Sequence, residues 1–187
     1  MAHPLFKRAL HLLFGDYQYW KIFCIDLPQP GAELAPGISI KPVDFETLGA
    51  LEKDDGFRER MSFGGEDAQG FGLYVDGELA AMQWYWWGAR YEAERRGRSW
   101  RLPSDAAKSV GLYTLPHHRG KGYAVMLKRQ SVHLMSRRGF GRLYSRVWHS
   151  HKSSIRVQEK AGWKLAGSYI EIRPFGKLFK ARLPTFS

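Results

Sequence analysis

Leu112-Tyr-Thr-Leu-Pro-His-His-Arg-Gly-Lys-Gly-Tyr-Ala124 reads as the end of a strand, a glycine turn and the start of a helix. Val110 to Leu115 is apolar and rich in strand formers, and Pro116 stops it. Gly120 and Gly122 let the backbone turn where a side chain would block a ligand. From Ala124 the spacing of Leu127, Ser131, Leu134 and Met135 predicts a helix, with Lys128, Arg129, Arg137 and Arg138 mostly off its apolar face and Gly139 as its stop. Loop amides at a helix N-terminus carry partial positive charge and unpaired donors, which makes an anion site. Arg119 and Lys121 add full charges to it.

The turn is neither the dinucleotide-binding pattern, which needs three glycines at fixed spacing, nor a Walker loop, which needs Gly-Lys-Ser/Thr. Arg119-x-x-Gly122-x-Ala124 resembles the pyrophosphate-binding motif of the GNAT superfamily, the acyl-CoA-dependent N-acyltransferases. Downstream, His151-Lys-Ser-Ser-Ile-Arg-Val-Gln-Glu-Lys-Ala-Gly-Trp163 resembles that family's second signature, Asn-x-x-Ala/Ser followed by a Glu-Lys-x-Gly-Phe ending. A helix and one strand, Leu143 to Trp148, separate the two blocks, as in the family. The resemblance covers roughly residues 38 to 173.

The resemblance implies an α/β fold of GNAT type, a mixed central sheet flanked by helices, with an N-terminal helix and strand added. It implies acetyl-CoA as acyl-donor co-substrate. The amides of Arg119, Gly120, Lys121, Gly122, Tyr123 and Ala124 would hold its pyrophosphate. The strand at Leu112, Tyr113 and Thr114 would pair with the pantetheine arm, and Ser154 of the second block would complete the site. In the family that strand and the next splay apart, and a backbone N–H stabilises the oxyanion as an amine attacks the thioester. Direct transfer needs no enzyme nucleophile, consistent with Cys24 lying outside both blocks.

Two residues depart from the pattern. His151 stands where Asn is usual. Gln158 stands where many members place a tyrosine that protonates the departing thiolate, and an amide cannot act as that acid. No carboxylate occurs between Asp105 and Glu159, so the candidates for general base are His149, His151, Asp105 or a water chain. His117 and His118 flank the loop and are expected to shape it. No third ligand type accompanies these four histidines, so no metal is expected.

At 187 residues, 44% hydrophobic with seven Trp, the chain is expected to be one folded domain. Its single cysteine excludes an internal disulfide and a cysteine-built metal site, making a reducing cytoplasm the default. No apolar run reaches the ~20 residues of a membrane span, and no secretory signal is expected. The net charge of +11 is unevenly spread: from Arg119 onward 16 Lys/Arg face only Glu159 and Glu171, while the preceding residues sum to −3. The basic half suits an anionic partner such as coenzyme A, nucleic acid or membrane, or is a solvated surface kept for solubility.

Residues 5–14 predict an amphipathic helix, read either as docking onto the domain or as a basic interfacial anchor giving peripheral membrane contact. Trp20 to Leu27 alternates like a strand, and a Pro/Gly loop follows. Residues 1–36 thus read as an N-terminal extension and 37–187 as the acyltransferase-like domain. Gly37 to Pro42 predicts the first core strand, followed by a helix from Asp44 to about Lys53. Eight carboxylates between Asp44 and Gly70 either attract a protonated amine or form a solvated face. Phe71 to Trp87 is a β-hairpin turning at Asp76-Gly77. Trp84 and Trp86 point to one face and Tyr85 and Trp87 to the other, as core on both sides or as an aromatic wall for a flat acceptor on one. Gly88 to Ser104 is a long polar connection of unread role.

The expected function is transfer of an acetyl or related acyl group from acyl-CoA to a primary amine of a small molecule such as an amino sugar. A catalytically inactive acyl-CoA-binding or interaction module is the alternative, argued from Gln158 and the missing base. An RNA-binding role for the basic half ranks last because no base-reading motif accompanies the charge, so no specific nucleic acid is expected.

Overall fold

The computed structural model describes residues 17–31, 33–43, 55–94, 101–174, 177 and 179–183. The expected helices over residues 5–14 and from Asp44 to Lys53 lie outside them. Eight strands form one mixed sheet: β1 (Tyr17–Asp26), β2 (Ile38–Pro42), β3 (Ala68–Val75), β4 (Glu78–Trp86), β5 (Ala106–Thr114), β6 (Arg142–Trp148), β7 (Lys164–Ile172) and β8 (Phe179–Leu183). Among the described residues four α-helices accompany them: α1 (Asp55–Met61), α2 (Gly88–Glu94), α3 (Tyr123–Ser136) and α4 (Lys152–Lys160). The strand order is β2-β3-β4-β5-β6-β1-β7-β8. Among the described strands only β5 and β6 run parallel, joined through α3, as a parallel pair requires a crossover.

The hairpin forms as its sequence dictates, with Asp76 and Gly77 both at positive φ in the turn. β4 is buried along nearly its whole length because both faces of the sheet are covered there. Phe71, Leu73, Tyr85, Leu127, Met135 and Leu143 belong to the core on the α3 side. Tyr74, Met82 and Trp84 pack with Phe63 and Tyr113 on the α1 side. Both aromatic pairs of β4 are therefore packed. Trp86 donates its Nε1–H to the Phe63 carbonyl at 2.8 Å, and Trp87 lies against Phe140. No aromatic wall faces solvent along this strand.

The N-terminal strand is interior to the sheet. β1 pairs antiparallel with β6 (Trp20↔Trp148) and with β7 (Trp20↔Tyr169), filling the place between them. The polar connection after β4 contains α2. Asp67 accepts the Ala89 N–H at 2.8 Å and caps it, and Tyr91 anchors it in the interior.

One irregularity positions the site. Met82 pairs with Tyr113 and Trp84 with Val110, so Gln83 alone faces both Gly111 and Leu112. This is a β-bulge on β5, and Gly111 takes the positive φ of +62° that it needs. A Cβ there would stand 2.5 Å from the Phe63 ring. The bulge bends β5, and its parallel pairing with β6 ends at Ser109↔Ser145. Beyond that pair the two strands part.

Lys128 is not on the solvent side of α3, as its charge suggested, but fully buried at 0% exposure. The reason is helical geometry. Lys128 falls beside Leu127 and one turn from Ser131 and Val132 on the covered face. Trp163, following α4, closes over it.

Candidate active site

β5 ends at Thr114, and Leu115 still reaches β4 through its N–H to the Ala80 carbonyl at 3.0 Å. A single 3-10 turn, Pro116–His118, follows, and then Gly120 and Gly122 at φ of +81° and +83° swing the chain into α3. Gly122 occupies the cap position with no side chain satisfying the helix start. No internal acceptor takes the N–H groups of Gly120, Lys121, Gly122, Tyr123 or Ala124 among the described residues. These are the orphan donors of a helix N-terminus, gathered around an opening. Arg119 braces the loop, donating from Nε to the Thr114 carbonyl at 3.1 Å.

The opening is a cleft of about 290 Å³ between this loop and α4. Thr114, Arg119, Gly120, Gly122, Tyr123 and Ala124, all expected site residues, line it together with Arg156 and Lys160. Ser153 lines the cleft, while Ser154 sits half-buried on the same first turn of α4 and does not. Gly122, Val125 and Lys160 also border a larger hollow of about 800 Å³ between α3 and the segment around Gln29 to Glu33. Sequence reading missed Arg156 and Lys160, though their spacing of four on one helix was visible.

Along the parted edge, alternation fixes what β5 presents. Leu115 hydrogen-bonds β4, so Tyr113 does likewise, and the peptide groups of Leu112 and Thr114 face the opposite way, toward β6. Tyr113 turns its ring to the α1 side, under the Arg60 guanidinium at 4.6 Å. Arg60 also donates from Nε to the Gly111 carbonyl, tying α1 to the bulge.

At the apex of the parting, two serines stand side by side on the α3 face. Lys128 Nζ lies 2.8 Å from Ser109 Oγ and 4.0 Å above the Trp163 ring. Gln158 donates from Nε2 to Ser145 Oγ at 2.8 Å, while its Oε1 is buried without a partner. Burial pushes Lys128 down to about 7, and no carboxylate pairs with it among the described residues. The cluster continues along α3, where Tyr85 and Ser131 share a 2.8 Å hydrogen bond.

The expected bases lie elsewhere. His149 sits in the turn after β6 with its ring among Tyr17, Tyr19 and Trp148. His151 is exposed at the cap position of α4 and makes no side-chain capping bond. Neither imidazole lines the cleft. Asp105 precedes β5 at the end of the strand remote from the parting, beside Gly141. His118 packs against His117 and Tyr123, and burial, His117 and Lys121 hold it below the ordinary imidazole range. Of the acidic cluster, Asp55 pairs with Arg58, Glu59 with Arg60 and Asp67 with α2, while Glu66 is exposed. Asp44, Glu46, Glu52 and Asp54 lie outside the described residues.

The model of the acetyltransferase (GNAT) family matches residues 39–163. No curated protein matches the chain in sequence. Among solved structures, a GNAT-family protein from Novosphingobium aromaticivorans is 24% identical, with a TM-score of 0.58 over 85% of this chain and 65% of its own. A GCN5-related N-acetyltransferase from Sphaerobacter thermophilus is 16% identical, with a TM-score of 0.60 over 96% and 56%. A tandem GNAT protein of the clavulanic acid biosynthesis pathway is 15% identical, with a TM-score of 0.58 over 97% and 59%. This chain thus spans about three fifths of the length of these structures. With the glycine loop at the start of α3, the parted parallel strands and a family match over two thirds of its length, the chain belongs to the GNAT acetyltransferase family.

Proposed function

We propose that the chain transfers an acetyl or related acyl group from acyl-CoA to a primary amine of a small molecule. The observation that carries this reading is one cleft, reaching Thr114 at the end of β5, that gathers Arg119, Arg156 and Lys160 with the amides of Gly120, Gly122, Tyr123 and Ala124, which have no internal acceptor among the described residues. A pyrophosphate needs such a set of backbone donors and cations. The adjoining hollow offers space for the remainder of a nucleotide.

Acyl-CoA supplies the thioester, and the chain supplies position and charge. The loop fixes the phosphates, and the Leu112 peptide edge receives the extended arm. A β5 N–H at the parting donates to the carbonyl oxygen as it becomes negative. Trp84 and Trp86 are buried in the packing of β4 and offer the acceptor no aromatic wall. The acceptor in this reading is a small amine, with the amino-sugar class one member of the panel to be tried.

The test is thiol release from acetyl-CoA against a panel of amino sugars, polyamines and amino-acid amines. Release with at least one amine above the hydrolytic background is expected. Tight acyl-CoA binding with a blank panel would favour the non-enzymatic module instead.

A further inference from the structure

The acyl-transfer reading leaves a proton without a destination. An attacking amine sheds one proton, and neither histidine nor any carboxylate of the central strands stands at the parting. Among the described residues, the group that does stand there is the Ser109–Lys128 pair. Ser109 is in the last paired position before β5 and β6 separate, and its hydroxyl is 2.8 Å from Lys128 Nζ. Lys128 is sealed from solvent by α3, α4 and Trp163, so Ser109 is its connection to the parting.

We propose that Ser109 and Lys128 form a proton relay, with Ser109 taking the proton from the attacking amine and passing its own to the uncharged Lys128 amine. The inference rests on the acyl-transfer reading. Atoms balance as follows. The acceptor nitrogen bonds the carbonyl carbon and the carbon–sulfur bond breaks. One proton moves from that nitrogen to Ser109 Oγ while the serine proton moves to Lys128 Nζ. The resulting ammonium returns its proton through Ser109 to the thiolate, leaving amide, thiol and an unchanged relay.

The surroundings suit a lysine that must alternate between states. The Trp163 face favours the ammonium, whereas burial without a carboxylate favours the amine. The two opposed effects keep both forms accessible near neutrality. The other groups facing this part of the cluster are hydroxyls and amides: Ser131 and Tyr85 along α3 and β4, and Gln158 on Ser145. No imidazole or carboxylate bonds to the pair among the described residues. Ser109 is the candidate catalytic residue, since it occupies the last paired position before the parting, and Lys128 acts through it.

The experiment compares wild type with K128M, K128R, S109A and S109T, all checked for fold by circular dichroism. Acetyl-CoA affinity is read by calorimetry and thiol release is read against pH. Wild-type kcat should rise with pH through the neutral range. K128M, K128R and S109A should lose about 100-fold in kcat, with affinity within twofold of wild type. S109T, which keeps the hydroxyl, should recover most of that loss. The Lys128 amine, followed by NMR in the free chain, should titrate near neutrality rather than near the ordinary lysine value. An active wild type whose K128M and S109A variants keep its rate and pH profile overturns the relay alone. So does an ordinary lysine titration, or an acyl ester trapped on Ser109. A wild type that binds acetyl-CoA but releases no thiol overturns the acyl-transfer reading and the relay with it.

Discussion

Replacing Lys128 with Met should make the protein more stable at neutral pH, and the gain should shrink as pH rises. The unfolded lysine titrates near 10.5, and burial brings the folded one down to about 7. Each unit of that difference corresponds to about 1.4 kcal/mol, so the folded state forgoes about 5 kcal/mol by holding this side chain. Met removes that penalty but also the bond to Ser109, about 1 kcal/mol, and the contact with the Trp163 face, about 1–2 kcal/mol. A net gain of about 2 kcal/mol near pH 7 remains.

The pH dependence has a definite sign. Between the folded and unfolded values the unfolded chain binds more protons at this site, so wild-type stability rises with pH there. Relative to K128M it should climb about 3 kcal/mol from about pH 7 to about pH 9.5, closing and then reversing the gap. Above that range Tyr85 intrudes, because burial raises its phenol and stability then falls as pH rises. Urea denaturation of both proteins at half-unit intervals measures this directly. Two curves that run parallel across the range would mean that Lys128 keeps an ordinary titration in the fold, and the reasoning about its burial would fail.

Three other outcomes are expected. Gly111→Ala forces a side chain onto a φ of +62° and against Phe63, and should cost about 2–4 kcal/mol, read as a lowered Tm. Arg156→Ala combined with Lys160→Ala should weaken acetyl-CoA binding by tenfold or more and flatten its salt dependence, with the fold unchanged in circular dichroism. Single-stranded RNA should bind only at low salt and lose affinity steeply as salt rises, in a filter or fluorescence titration. A tight complex persisting at physiological salt would give the basic half a nucleic-acid role.

The loop and its helix were legible because their determinants are local. Pro116, Gly120 and Gly122 punctuate the chain at the positions where the backbone turns, and the 3.6-residue spacing of α3 needs no knowledge of the rest. The Asp76-Gly77 hairpin was legible for the same reason. β1 was visible as a strand, but not as the strand between β6 and β7, because its partners lie more than a hundred residues away and strand propensity says nothing of pairing. Charge alone points Lys128 to solvent, whereas its position beside Leu127 puts it on the covered face of α3. The lone Gly111 within a strand pattern was an unused pointer to the bulge that parts β5 from β6. Ser109 and Ser145 gain meaning only once the sheet sets them side by side, one bonded from α3 and the other from α4.

The central claim is that the loop before α3 is an acyl-CoA site. Isothermal titration of acetyl-CoA into wild type and Gly122→Val measures it most directly. A Cβ at Gly122 meets no atom of the protein within 4 Å, but Gly122 lines the cleft, and its φ of +83° is one that valine adopts only with strain. One saturable site in the wild type, abolished in a Gly122→Val protein that remains folded, is the predicted result. Equal affinity in the two proteins, or no heat of binding in the wild type, would contradict it.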